Sequence, residues 1–168
     1  TLYTAWTGLS GSTKANQQGS IAHGEMLFNN RPIRITGVAG FNDVRGEDVV
    51  SGTCGTCHNS PNVGSSSSFA MMNIGTATVR VGLPTYALQC SGGTQIVSDP
   101  GRAMVTGKCV DIGKFKVPSM RGLAARAPYF HDGSALTLGQ VDDFYDQRFG
   151  MLLSPEEKAD LVAFMNSL

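Results

Sequence analysis

Apolar residues recur at helical spacing in three stretches of this chain. Between Ser20 and Asn30, Ile21, Gly24, Leu27 and Phe28 fall on neighbouring positions of one helix face. Ser20 reads as the N-cap. Glycine weakens a helix, so Gly24 on that face predicts a close approach by a second helix. From Thr137 to Phe149, Leu138, Val141 and Tyr145 follow i, i+3, i+7, and Phe144 joins the stripe. Thr137-Leu138-Gly139-Gln140 opens that helix in capping-box form. Ser154-Pro155-Glu156-Glu157 starts the last helix with an N-cap, Pro at the first position and Glu at the third. Leu161, Phe164, Met165 and Leu168 form its apolar stripe.

The pattern changes between these helices. Residues 1–19 are small and polar without a clear period, which predicts an extended arm packed on the body through Trp6. Ile33-Arg34-Ile35-Thr36 alternates as a short strand does. Residues 59–68 read as loop. Residues 78–117 read as β-rich or extended. There Thr85-Tyr86-Ala87-Leu88-Gln89-Cys90 and Gln95-Ile96-Val97 flank Ser91-Gly92-Gly93-Thr94, a hairpin signal, and Asp99-Pro100-Gly101 is a further turn. The predicted organisation is an arm over 1–19 and one domain over 20–168, with an insertion over about 78–117.

Composition narrows the function. The 168 residues carry a net charge of zero and only 15% charged side chains. Nothing there suggests nucleic acid or an acidic membrane surface. No run of about 20 apolar residues predicts a membrane span. No signal-peptide pattern opens the chain, which reads as mature or trimmed. The 21 glycines imply much irregular backbone, for which a large apolar cofactor would supply core.

The chemistry is concentrated in Cys54-Gly55-Thr56-Cys57-His58. This is the spacing of covalent haem attachment. Two thioethers would form with the haem vinyl groups, and the adjacent imidazole would reach the iron. A thioredoxin-like thiol pair would want a βαβ context, which is not visible here. A zinc site would want two further ligands, and Cys90 and Cys109 form no such knuckle. One haem c is therefore expected, with His58 as iron ligand. Helix should resume across this motif, and first and last helices bearing apolar stripes around a C-x-x-C-H helix describe a mainly α, class I cytochrome c-like core. Haem attachment of this kind belongs to the periplasm or another space outside the cytoplasm. Cys90 and Cys109 are then left as a natural disulfide in an oxidising compartment, with two buried thiols as the alternative.

The C-terminal third carries a longer signature. Phe115-Lys116-Val117-Pro118-Ser119-Met120-Arg121-Gly122-Leu123 and Ala127-Pro128-Tyr129-Phe130-His131-Asp132-Gly133-Ser134 resemble the bacterial dihaem cytochrome c peroxidase and MauG family. So do the Thr137–Tyr145 helix and the segment Glu156–Phe164. The likeness is to the C-terminal, electron-transfer haem domain of that family, here with an extra cysteine pair. The chain departs from the family in having one haem motif where the peroxidases have two.

The resemblance also bears on the second iron ligand. A methionine lies fourteen residues beyond the His-Asp-Gly histidine in the peroxidases, and MauG-like members place a tyrosine there. Counted from His131, that position is Tyr145. By spacing alone, Met120, Met151, Met104, Met71 or Met72 could also reach the iron. An ordinary core role is the alternative for each of these side chains. His131 would fix a loop beside the haem. Arg121, then Arg126, would pair with a propionate, or be solvated surface charges, and Pro61 would either orient His58 through its carbonyl or simply end the helix.

Two functions follow. One is electron transfer, as a monohaem cytochrome c or a relay subunit with a redox partner protein or a larger multi-haem assembly. The other is a peroxidase or MauG-like enzyme acting on hydrogen peroxide, which needs an accessible iron face and an acid–base group beside it.

Overall fold

In the computed structural model the described residues are 11–59, 63 and 70–168. Helix α1 runs Gly11–Asn30, strand β1 Ile33–Thr36, the short helix α2 Asn42–Arg45 and strand β2 Val49–Gly52. A 3-10 turn follows at Cys54–Thr56. The hairpin strands are β3, Tyr86–Cys90, and β4, Gly93–Val97. Helix α3 is Ala103–Thr106, with further 3-10 turns at Cys109–Asp111 and Leu123–Ala125. Helices α4, Leu138–Phe149, and α5, Pro155–Ser167, complete the described chain.

Helix α1 corrects the predicted arm. It begins at Gly11, nine residues before the expected N-cap, so residues 11–19 are helical and not extended. Lys14, Ala15, Gln17 and Gln18 include good helix formers and no proline. A helix nucleated by packing further along propagates cheaply through such residues. Ser20 is consequently inside the helix, and its hydroxyl bonds the Asp160 carboxylate instead of capping. Trp6 and the rest of 1–10 lie outside the described residues.

The α1–α5 crossing organises the helical core. Gly24 faces the Asp160 backbone and Phe164, where a side chain would collide. His23 Nδ1 pairs with Asp160 Oδ2 at 2.7 Å. Arg31 reaches Glu157 at 2.7 Å and the Met151 carbonyl at 2.9 Å. The cap of α5 forms as its sequence dictates, with Ser154 and Glu157 bonding each other's backbone N–H groups. Leu27, Phe28, Leu161, Phe164 and Met165 are buried together.

Strands β1 and β2 pair antiparallel, Ile33 opposite Gly52. Ile33 and Ile35 are buried and Arg34 exposed, the outcome of their alternation. Strand β2 delivers the chain to the Cys54 turn. There the expected helix is one turn only: His58 N–H donates to the Cys54 carbonyl at 3.1 Å.

The insertion is a smaller unit. Strands β3 and β4 form the predicted hairpin, Tyr86 opposite Val97. Its own core is Ala77, Val97, Ala103 and Ile112, against which Cys90 and Cys109 pack. These two cysteines are joined, with Cα atoms 5.9 Å apart. Reciprocal backbone bonds between Met72 and Phe115, both 2.9 Å, close the base of the insertion against the helical core.

Candidate functional site

The C-x-x-C-H turn, the Val117–Met120 segment, the His-Asp-Gly loop and the inner face of α4 surround one apolar cavity of about 400 Å³. That is the size range of cofactor pockets. Cys54, Cys57 and His58 all line it, as do Tyr145, His131, Met120 and Met151. Each element is held in place by its own bonds. In the turn, Thr53 N–H donates to Thr56 Oγ1 at 2.8 Å. Thr137 caps α4 by accepting from Gln140 N–H at 3.2 Å. That cap sets the phase of the helix, so that Leu138, Val141, Asp142 and Tyr145 all face the cavity.

Burial keeps these groups neutral. The Cys54 thiol is pushed up to about 12, mainly by burial and then by the nearby Asp142 carboxyl. Cys57 is raised by burial as well. The His58 imidazole is lowered to about 4 by burial, against a smaller opposing pull from the Pro118 carbonyl. Its Nδ1 is buried without a well-aligned hydrogen-bond partner among the described residues. Burial also raises the Tyr145 phenol, and the two cysteines beside it add to the effect.

These features fit a covalently attached haem. Both thiols are free and stand at the wall of an apolar cavity with a neutral imidazole beside them. A zinc site would need thiolates and more ligands. Among the described residues no three His, Cys, Asp or Glu side chains cluster to hold a metal ion.

The remaining expected residues divide. Tyr145, Met120, Met151 and also Met72 line the cavity, whereas Met104 is 63% exposed on α3 and does not. That removes Met104 as a ligand: α3 belongs to the insertion, and its Met104 side chain turns to solvent. Arg126, not Arg121, lines the cavity. The 3-10 turn at Leu123–Ala125 leaves Arg126 exposed at the edge of the cavity, where its guanidinium also bonds the Ser119 carbonyl. Pro61 lies outside the described residues, and the carbonyl nearest His58 is that of Pro118.

His131 sits at the rim, as expected of a loop-fixing residue. Its Nδ1 bonds Asp99 Oδ2 at 2.6 Å, and its ring lies 4.7 Å from that of Phe115. The next residue, Asp132, pairs with Arg80 at 2.9 Å and accepts from Ser134 N–H. Asp99 and Arg80 both belong to the insertion. The His-Asp-Gly loop is thus clamped to it twice.

Asp142 is the site residue that sequence reasoning passed over. It is 7% exposed, and its buried Oδ2 has no hydrogen-bond partner among the described residues. Burial, then Asp143, pushes its carboxyl up to about 7. The signal was present: an acid four residues after Leu138 interrupts the apolar stripe of α4.

The sequence has named relatives. A cytochrome c peroxidase of Denitromonas iodatirespirans is 32% identical over 139 residues, 70% of this chain and 36% of its own length. The cytochrome c551 peroxidase of Nitrosomonas europaea is 31% identical over 128 residues, 75% of this chain and 34% of its own. A cytochrome c peroxidase of Pseudomonas sp. (strain SCT) is 38% identical over 81 residues, 42% of this chain and 21% of its own. The chain therefore spans roughly a third or less of these relatives. The fold matches the crystal structure of a MauG-like protein associated with microbial copper homeostasis, with a TM-score of 0.55 and 23% identity over 93% of this chain and 47% of that one. No family model matches.

Proposed function

We propose that this chain, a homologue of part of the bacterial dihaem cytochrome c peroxidase and MauG-like family, is a haem c domain working in the reduction of hydrogen peroxide. The observation that carries the reading is the shared cavity. Cys54, Cys57 and His58 meet there with a face of α4 that offers Tyr145 and a buried carboxyl. The relatives' name, cytochrome c peroxidase, supports peroxide as the substrate class and a cytochrome c as the electron donor.

Haem held at this site would supply electron exchange and the reduction of peroxide. Cys54 and Cys57 would hold the group covalently through thioethers, and His58 would be the proximal ligand. A neutral imidazole is the form that ligates, and burial keeps it so. Arg126 would pair with a haem propionate. The apolar wall excludes water, which strengthens every polar contact inside. Asp142 is the cavity group able to hold and move a proton at its Oδ2. The C-x-x-C-H turn, flanked by the α1–α5 crossing, fits a class I cytochrome c core with one haem. Covalent haem and the Cys90–Cys109 bond fit the periplasm.

A second reading has its own observation. Tyr145 lines the cavity, and its phenol would be a second iron ligand, with Met72, Met120 or Met151 as alternatives. A second protein ligand would suit electron relay more than peroxide reduction.

The test is a set of optical and EPR spectra of the haem-loaded chain, oxidised and reduced, with and without hydrogen peroxide. Steady-state peroxide reduction by a reduced small cytochrome c would be followed in parallel. A high-spin iron that reacts with peroxide and turns over supports the proposal. A low-spin iron indifferent to peroxide supports the relay.

A further inference from the structure

Three acids stand close together on α4: Asp142, Asp143 and Asp146. Lys158, on α5, binds Asp143 Oδ1 at 2.7 Å and Asp146 Oδ2 at 3.0 Å. The lysine is thereby committed to the outer two. Asp142 points instead into the cofactor cavity beside Cys54, with Oδ2 buried and unbonded among the described residues. A carboxylate there would be a charge in an apolar space with no counter-ion bonded to it, which is costly. Ferric haem carries one more positive charge than ferrous haem. Adding it to that space favours the carboxylate, and removing it favours the acid.

We propose that Asp142 couples proton uptake to electron uptake: when the haem gains one electron from a donor protein, Asp142 Oδ2 gains one proton from solvent. The balance is one electron to the iron and one O–H bond formed at the carboxylate, with a water-borne proton as its source. Oxidation reverses both. The charge of the cavity is then the same in the two redox states. This rests on the haem reading alone and holds whether the electron goes on to peroxide or to a partner.

Several neighbouring groups act on this proton. Asp143 and Asp146 on the same helix favour the acid, and Lys158 from α5 opposes them. Cys54, at the haem-binding turn, would be uncharged as a thioether. His131 and Arg126 line the same cavity from the loop before α4. Burial is the largest influence and keeps the proton on Asp142 up to about pH 7, which places the coupling in the neutral range.

The experiment is a potentiometric titration of the haem-loaded full chain at a series of pH values, for wild type and Asp142→Asn. Wild type is expected to lose about 59 mV per pH unit over its coupled range, the value for one proton per electron. Asp142→Asn is expected to be flat there and to sit near the wild-type low-pH limit. A slope shared equally by both chains, or a flat wild type, overturns the proposal. A redox-difference infrared spectrum of wild type does not depend on the variant folding. A carboxylic-acid C=O band must grow on reduction, and its absence also overturns the proposal. The haem absorption of each sample reports separately on whether the cofactor reading itself has failed.

Discussion

Gly24 of α1 lies so close to Phe164 of α5 that a methyl group on it would stand 2.8 Å from the Phe164 Cβ and run into the Asp160 carbonyl. The crossing is set by the absence of a side chain. Gly24→Ala should therefore cost about 1–3 kcal/mol by overpacking, more than the helix-propensity gain of about 1 kcal/mol returns. Gly19, also in α1, has nothing within 4 Å of its would-be Cβ. Gly19→Ala should stabilise by about 0.5–1 kcal/mol. Urea midpoints of the two variants measured together check this, and equal signs would contradict it.

That crossing was legible in the sequence, because a glycine inside an apolar helical stripe is unusual enough to demand a partner. The caps of α4 and α5, the hairpin and the cysteine partition were legible for the same reason: each rests on residues next to one another in the chain. What escaped was set by contacts distant in sequence. The start of α1 at Gly11 depends on packing that nucleates further along. Strand β2 exists because β1 pairs with it, and Val49-Val50-Ser51 alone does not announce it. The choice of Arg126 over Arg121 depends on a 3-10 turn. At the site, Cys54, Cys57 and His58 could be named from spacing, and Tyr145 from resemblance. Asp142 needed the fold to show that the side chain turns inward.

Arg148 is a second such case. From α4 it donates to the carbonyls of Ile74 at 3.0 Å, Thr36 at 2.8 Å and Gly37 at 3.2 Å. Its guanidinium lies 4.9 Å from the Phe149 ring centre. One side chain thus joins α4, the end of β1 and the strand-free segment after Met72. Arg148→Met would leave those carbonyls without their donor and should cost about 1–3 kcal/mol. Arg148→Lys should recover only part of it, because an ammonium cannot reproduce the planar fork. Thermal unfolding of both variants is the measurement, and full recovery by lysine would refute the argument.

The Cys90–Cys109 bond closes a loop with a sequence separation of 19. On the chain-entropy model such a loop contributes about 3 kcal/mol. Neither cysteine lines the cofactor cavity, and both pack on the separate core of Ala77, Val97, Ala103 and Ile112. Replacing both with serine should therefore loosen the insertion first. Limited proteolysis should cut within 78–117 while the haem spectrum stays unchanged. Loss of the spectrum at the same rate as the first cut would show that the two cores open together.

Asp142 and His58 make opposite contributions to the pH dependence of stability. Asp142 rises from 3.8 to about 7 on folding, so between those values the folded chain keeps a proton that the unfolded chain releases. Its contribution is favourable at low pH and is lost as pH rises through that window, on the order of 4 kcal/mol in all. His58 falls from 6.5 to about 4, so its contribution is lost as pH falls through that range. In wild type the two slopes oppose one another between about pH 4 and 6.5. Comparing wild type with Asp142→Asn removes this overlap, because His58 is common to both chains. The stability of Asp142→Asn relative to wild type should rise steadily from pH 4 to pH 7 and level off above it. Urea unfolding of the reduced, haem-loaded proteins, the state in which the acid is favoured, at several pH values measures the difference. A difference that does not change with pH would mean that the Asp142 carboxyl is solvated and that the cavity face of α4 is not as dry as its lining implies.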